Sequence, residues 1–172
     1  MKKNIVKRWV LPQQNCSEDF LLQRKYPSRV EEKEKLKVKT LKGRSIVPGH
    51  CRGKALVSMK PISFLGGVDP ESGLIVEVGH DLKGKSVKDT ILCFPHGHGS
   101  TVGSYVVYSL VKRGVGPKAI VNQTADPVVV VGAIIAEVPM VDQVDIQQLR
   151  TGDDVEVDGG KGIVKVARKE QK

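Results

Sequence analysis

Cysteine is scarce in this chain of 172 residues, which contains only Cys16, Cys51 and Cys93. The three are far apart in the sequence and no CxxC pair occurs. We therefore expect neither a disulfide framework nor a metal site made by this chain alone. Sparse cysteine is typical of proteins in the reducing cytoplasm, which is the location we expect.

Long apolar runs and aromatic residues are also lacking. No apolar run approaches the roughly 20 residues needed to cross a bilayer, so we expect no membrane association. The N-terminus lacks the apolar segment of a secretory signal. Aromatic residues make up 4% of the chain, which provides no stacking platform for nucleic acid, and we do not expect nucleic acid as a partner.

Positive charge is in excess, with a formal net charge of +9. Residues 1–42 hold 12 Lys+Arg against 5 Asp+Glu. A basic arm of this kind can contact nucleic acid or an acidic partner, although such charge runs are more often solvated and flexible. The composition changes at Gly43, so we predict a basic N-terminal extension over 1–42 and one folded domain over 43–172. Within the extension, residues 30–39 favour a short helix or an edge strand.

Beyond Gly43 the hydrophobic pattern alternates between strands and helices. The β-branched run after Asp126-Pro127 is compatible with a strand, but an N-cap followed by proline favours a short buried helix. A clear hairpin signal surrounds Asp158-Gly159-Gly160. Strands alternating with two helices predict an α/β fold, either a mixed barrel or a layered domain. The predicted strands are 55–58, 74–78, 90–94, 118–122 and 138–141, and the first predicted helix is 101–113.

The first candidate site is the segment PHGHGSTVGS, residues 95–104, where a strand ends in a glycine loop and a helix begins. Free N–H groups at a helix start bind anions, so Ser100 can lie beside an acidic substrate. Ser104, four residues later, lies near the same face. A simple N-cap role for Ser100 remains the alternative. His96 and His98 are candidate acid–base groups, but no third metal ligand is near in sequence.

Two further segments are weaker candidates. In SFLGGVDP, Gly66 and Gly67 allow the backbone to approach a ligand or another chain closely. In VPGHCRGKA, Arg52 and Lys54 are positioned either to bind an acid or to remain solvated. Local chemistry alone does not separate these alternatives.

Four long motifs in this order resemble the small subunit of aconitase X. They are GRSIVPGHCRGKALVS, PISFLGGVDPESG, FPHGHGSTVGSYV and NQTADPVVVVGAIIAEVPMVD. The resemblance extends from about Gly43 to Val166, nearly all of the chain beyond the extension. It implies a swivelling β/β/α barrel-like domain, as in the small domain of aconitases. It also implies a large catalytic partner subunit, in a heterodimer or higher assembly, that holds a [4Fe–4S] cluster and most substrate ligands.

The resemblance further implies a hydro-lyase activity that appears only with the large subunit. In this family the cluster iron polarises the leaving hydroxyl of a hydroxy acid, and a serine of the small domain accepts the proton. Carried over by motif, that serine is Ser100. The substrate implied first is (R)-5-phosphomevalonate, converted to trans-anhydromevalonate 5-phosphate in isoprenoid biosynthesis. The residues expected to bind substrate are Gly99, Thr101, Ser104, Gly66, Gly67 and His98.

Two other functions remain open at this point. Members of the family commonly carry basic residues where this chain has His96 and His98, as in FPRGKGS, and neutral histidine does not bind phosphate as arginine does. Another hydroxy acid, such as cis-3-hydroxyproline, is therefore an alternative substrate. A non-catalytic swivel or binding module that uses its basic arm is an alternative of a different class.

Overall fold

The computed structural model describes residues 36–169, which form ten strands, two α-helices and a 3-10 turn at Ile146–Gln148. Neither helix in this range is long and apolar enough to cross a membrane. The helices are α1 (Gly103–Lys112) and α2 (Pro127–Ala136). The strands are β1 (Leu36–Lys42), β2 (Arg44–Val47), β3 (His50–Val57), β4 (Ile62–Ser63), β5 (Ile91–Phe94), β6 (Gly97–His98), β7 (Ala119–Asn122), β8 (Met140–Asp142), β9 (Asp154–Asp158) and β10 (Ile163–Lys169).

Eight of these strands form one sheet that closes on itself. Its order is β1-β10-β9-β3-β5-β7-β8-β2, with parallel pairing from β3 through β8 and antiparallel pairing elsewhere. The two outermost strands, β1 and β2, are joined by Gly43 alone, so the sheet must curl until they form one bent strand. The Gly43 N–H donates to the Gly162 carbonyl at 2.8 Å. A Cβ at Gly43 would lie 2.2 Å from the Asp142 carbonyl oxygen, so only glycine fits at this bend.

Two apolar cores lie on the two faces of this sheet. Along β5, Ile91 and Cys93 face a core built from strands and their loops, which fills the barrel. Leu92 and Phe94 face a second core that includes side chains of α1 and α2. All four are fully buried, which explains why β5 is uniformly apolar rather than alternating. The barrel with one helical layer confirms the expected β/β/α architecture.

The second helix shows how a cap outweighs β-propensity. The Asp126 side chain accepts hydrogen bonds from the Val128 N–H at 2.9 Å and the Val129 N–H at 3.4 Å, and Pro127 occupies the first helical position. The predicted helix after Asp126-Pro127 is therefore confirmed. It packs closely on α1, because Gly132 lies against Val107.

The strand predicted over residues 74–78 is wrong. Leu74 and Ile75 make only isolated bridges, to Ser86 and Val68. Gly73 and Gly79 both have positive φ angles, so the backbone turns at each end of the segment. Ile75 is nevertheless buried, which accounts for the apolar pattern without a strand.

The ordered sheet begins before the predicted boundary at Gly43. The predicted extension includes residues 36–42, but these form β1, which pairs with β10 over seven residues. The edge-strand alternative for residues 30–39 therefore holds from residue 36 onward. The rest of the predicted extension, residues 1–35, lies outside the described residues.

Candidate active site

The loop that carries Ser100 leaves the sheet at the end of β5. The strands β3, β5, β7 and β8 are parallel, so their carboxyl ends share one edge. In both open and barrel-shaped parallel sheets, ligands bind beyond the carboxyl ends of the strands, where loops and helix starts converge. From here residues 95–102 lead into α1.

Ser100 is exposed and lies just before α1. Its Oγ accepts a hydrogen bond from the Val102 N–H at 3.3 Å, and its carbonyl accepts one from Gly103 N–H at 2.9 Å. The N-cap position itself is occupied by Val102, which makes no side-chain cap. The Ser100 hydroxyl nevertheless caps the turn that leads into α1, because it accepts the N–H two residues further on, so the N-cap alternative describes this local contact. Ser100 is also exposed, close to the positive end of the helix dipole.

The neighbours of Ser100 divide into exposed and buried positions. Gly99 and Thr101 are exposed beside it. Gly99 has φ +102°, and a Cβ there would lie 2.9 Å from Ser63 Oγ. Ser104 is buried, and its hydroxyl donates to the Thr101 carbonyl at 2.8 Å. This geometry favours a structural role for Ser104 at the helix start over the predicted substrate contact.

The structure brings the second candidate segment against the first. Strand β4 pairs in parallel with β6, which places Ser63 opposite His98. Gly66 is exposed with φ +79°, and no atom lies within 4 Å of a Cβ built there. Gly67 is buried, and a Cβ there would lie 2.1 Å from the Ser63 carbonyl oxygen. We call residues 63–67 and 95–102 the two site loops.

Glu77 joins these loops, although sequence reasoning missed it. Its Oε1 lies 3.7 Å from His98 Nε2, an ion-pair distance, and its Oε2 lies 3.5 Å from Ser63 N. Glu77 belongs to the segment predicted as a strand, and no motif or spacing marks it. His96 is exposed, with Nδ1 3.0 Å from the Gly97 carbonyl oxygen.

The third candidate segment lies elsewhere. Arg52 and Lys54 are on β3, where they pair with Glu156 at 3.1 Å and Asp154 at 2.9 Å on the neighbouring β9. They precede the carboxyl edge of β3, so they are not brought to the site loops. Both side chains are more than half exposed, and such surface pairs contribute little to stability. Of the two alternatives for Arg52 and Lys54, the structure therefore favours solvated side chains over an acid-binding site.

A polar network of two buried residues, Ser58 and His80, and the exposed Asp81 fastens the turn that follows Glu77 to the end of β3. Ser58 Oγ donates to Asp81 Oδ1 at 2.6 Å, and the Met59 N–H donates to Oδ2 at 2.9 Å. Burial acts to raise the pKa of Asp81, but these hydrogen bonds outweigh it and the pKa is lowered. His80 Nδ1 lies 3.1 Å from the Leu82 N and 3.2 Å from Asp81 Oδ1, and its Nε2 lies 3.4 Å from Ser58 Oγ. Because Ser58 is fully buried, its hydroxyl is out of reach of a substrate, and the network is structural rather than nucleophilic.

Exposed apolar side chains accompany the site loops. They lie on the first site loop, on the segment around Glu77 and at the start of α1. The first site loop lies against the start of α1, because a Cβ at Gly103 would be 3.7 Å from Leu65 N. Large apolar side chains exposed together are typical of protein–protein surfaces. We call this set the apolar rim: Leu65, Val76, Val78, Val102 and Tyr105.

The closed barrel, the helical layer on its parallel half and the exposed serine loop define a small domain of the swivelling kind found in aconitases. More particularly, the chain belongs to the aconitase X swivel domain family, whose model matches residues 40–166. The resemblance inferred from the four motifs is thereby confirmed.

Curated relatives and solved structures agree with this assignment. The phosphomevalonate dehydratase small subunit of Thermococcus sibiricus is 58% identical over 126 residues, which cover 73% of this chain and 97% of the relative. That of Methanocaldococcus jannaschii is 54% identical over 129 residues, covering 75% and 98%. The crystal structure of Thermococcus kodakaraensis aconitase X in its holo-form matches with a TM-score of 0.74 at 51% identity, covering 74% of this chain and 98% of that one.

The relationship to aconitases raises the question of an iron–sulfur cluster, and the described residues do not fit one. Such a cluster is held by several cysteine thiolates. Cys93 is fully buried in the barrel and Cys51 is half-buried on β3, and burial raises the pKa of both thiols. Over residues 36–169 no group of three or more His, Cys, Asp or Glu side chains is placed to hold a metal ion.

Proposed function

We propose that this chain is the small subunit of a heteromeric hydro-lyase that dehydrates (R)-5-phosphomevalonate to trans-anhydromevalonate 5-phosphate in the mevalonate pathway. The named relatives match over nearly their whole length at more than half identity, which supports the same reaction here. The observation that carries the proposal is the exposed Ser100 hydroxyl, on a glycine loop at the carboxyl edge of the parallel strands.

Ser100 is proposed to accept the proton that the substrate loses. The Val102 N–H that donates to Ser100 Oγ, together with the N-terminal end of α1, favours negative charge on this oxygen. The serine can therefore act as an alkoxide more readily than a solvated serine. We propose that Gly66, Gly67, Gly99, Thr101 and His98 contact the substrate around it.

The large subunit is proposed to cover the site loops and to hold the iron–sulfur cluster. Ser100 is exposed, which leaves it accessible to a second chain that completes the active site, as the small-subunit names of the relatives suggest. The apolar rim offers side chains to bury, with Val78 and Tyr105 exposed by 87% and 69%. We propose that the assembly works in the cytoplasm, which is consistent with the sparse cysteine of the sequence.

Reconstitution with a large subunit and iron tests the proposal. We expect no turnover by this chain alone, and turnover of phosphomevalonate by the complex. Ser100→Ala should lower kcat by roughly 10²–10⁴-fold, as for loss of a general base, while co-purification with the large subunit persists. Ser109→Ala is a matched control, because Ser109 is a partly exposed serine near the far end of α1. Full activity of the Ser100 variant would exclude it as the proton acceptor.

A second substrate is favoured by one observation: the site loops contain no lysine or arginine. A phosphate is most often bound by such cations. If the large subunit supplies no lysine or arginine to bind a phosphate, an unphosphorylated hydroxy acid such as cis-3-hydroxyproline is the better substrate. Comparing kcat/KM of the reconstituted complex for the two compounds distinguishes these alternatives.

A further inference from the structure

We infer that Glu77 is a positioning residue of the proposed site, which orients the imidazole of His98 toward the substrate. The inference rests on the proposed function, which includes His98 among the substrate contacts and gives Glu77 no role. The observation that supports this inference is the position of Glu77 between the two site loops, which are distant in sequence.

The backbone at Glu77 is attached to the first site loop. Both the Val76 N–H and the Glu77 N–H donate to the Gly67 carbonyl, at 2.8 and 3.2 Å. The side chain then passes across Gly67, where a Cβ would lie 2.9 Å from Glu77 Oε2. Glycine at this position therefore makes room for the carboxylate, and the carboxylate is less than one-third exposed.

The other loop presents His98 to the same carboxylate. His98 is held opposite Ser63 by the β4–β6 pairing, and its Nε2 faces Glu77 Oε1 at 3.7 Å. Over residues 36–169 Glu77 is the one acidic side chain within 4.0 Å of the His98 ring nitrogens. The nearest acids along its own segment have other partners, since Glu71 pairs with Arg113 and Asp81 with Ser58.

At 3.7 Å the two side chains are within ion-pair distance but beyond hydrogen-bond distance, so Glu77 acts on His98 through its charge, which favours the ring orientation that points an N–H at the carboxylate. With the proton of a neutral His98 on Nε2, Nδ1 carries the free lone pair and accepts a hydrogen bond. His98 then suits a hydroxyl group of the substrate. Without Glu77 the ring is free to rotate and to exchange tautomers, so the same contact is made in fewer molecules.

A double-mutant cycle in the reconstituted complex tests this coupling. Glu77→Gln keeps the size of the side chain and removes its charge. We expect it to lower kcat/KM about tenfold when His98 is present, and less than about twofold in the His98→Asn background, because a residue acting through another loses its effect when that one is gone. Glu71→Gln, an exposed and ion-paired glutamate of the same segment, is the matched control and should change neither background.

Equal losses in the two backgrounds, or no loss from Glu77→Gln, would overturn the inference. Failure of the proposed function would be recognised by a different result. Ser100→Ala would then retain activity, whether or not Glu77 and His98 are coupled.

Nitrogen-15 NMR of the imidazoles in the full chain gives a readout without turnover. Glu77→Gln should move the ring resonances of His98 and leave those of His50, which contacts Glu156, unchanged. Unmoved His98 resonances in a folded variant would also contradict the inference.

Discussion

Asp153 immediately precedes β9 and is almost fully buried, yet it is charged. Its carboxylate accepts hydrogen bonds from Arg168 Nε and from the Arg150 N–H, both at 2.9 Å. Burial acts to raise the pKa of Asp153, but these donors and the charge of Arg168 outweigh it, so the pKa lies below its usual value. A carboxylate with a lowered folded-state pKa stabilises the fold above the unfolded-state pKa, and this contribution is lost as the pH falls through the folded-state value.

Asp153→Asn should therefore lower the free energy of unfolding by about 1–3 kcal/mol at pH 7, because it weakens charge-assisted hydrogen bonds at a buried position. The difference from the wild type should shrink as the pH falls below about 4, the usual aspartate pKa, toward the lower folded-state value at which the wild-type carboxylate also becomes protonated. Urea unfolding across this pH range measures both effects. Asp154→Asn is the control, since the exposed Asp154–Lys54 pair should contribute under about 1 kcal/mol. Equal losses for both variants, independent of pH, would contradict the argument.

Individual site residues differ in how visible they are in the sequence. Ser100, the proposed proton acceptor, can be singled out in the sequence because it follows a glycine loop and precedes a helical stripe within ten residues. Glu77 has no such local signal, since its position depends on turns at Gly73 and Gly79 that return the chain to Gly67. Ser104 illustrates the converse case. Its spacing of four residues predicts that it lies near the same helix face as Ser100, but in the structure Ser104 is buried.

At the scale of elements, the two helices form one layer and meet through a glycine. A Cβ at Gly132 of α2 would lie 2.8 Å from Val107 Cβ and 3.1 Å from the Ser104 carbonyl oxygen of α1. Alanine is favoured over glycine in a helix by about 1 kcal/mol, so helix propensity and packing oppose each other here. The backbone contact includes Ser104, close to the loop that carries Ser100.

We expect packing to dominate, so that Gly132→Ala destabilises the domain by about 1–2 kcal/mol in spite of its helix propensity. The same variant should lower the activity of the reconstituted complex, because α1 moves with its N-terminal loop. Thermal unfolding and steady-state kinetics provide the two measurements. Gly160→Ala in the β9–β10 hairpin serves as control, since the nearest atom to its Cβ would be 3.6 Å away. A Gly132 variant as stable as the wild type would show that the helices separate freely.

Elements with strong local signals were predicted correctly, and those without them were not. The Asp126-Pro127 cap identified α2, and Asp158-Gly159-Gly160 identified the β9–β10 hairpin. The segment 74–78 has strand-like residues but no neighbouring strand to pair with beyond single bridges. β-propensity reflects a half-buried environment, and a buried loop provides the same environment.

At the scale of the whole molecule, β1 and β2 close the barrel around Gly43. The family model begins at residue 40, within β1, and the relative from Thermococcus sibiricus is matched over 97% of its length by 126 residues of this chain. Their fold therefore needs no counterpart of residues 1–35. This supports the proposal that the N-terminal segment is separable from the swivel domain.

Deleting residues 1–35 should leave the melting temperature and the activity of the reconstituted complex nearly unchanged. Deleting residues 1–42 should unfold the domain or lower its melting temperature strongly, because β10 loses its partner over seven residues and the barrel opens. Circular dichroism melts of the two deletions make the comparison. If both deletions were equally stable, β1 would not be needed for closure. Salt-dependent binding of nucleic acid that disappeared with residues 1–35 would instead support the basic-arm function.

The sequence by itself determined the α/β class, the second helix, the hairpin and the serine loop. These follow from local signals: alternation with period two, cap residues and glycine turns, each acting over a few neighbouring residues. Only the tertiary structure decided the closure at Gly43, the meeting of the two site loops and the place of Glu77 between them. Those features depend on contacts between segments far apart in the chain, and the curl of the sheet sets which segments meet.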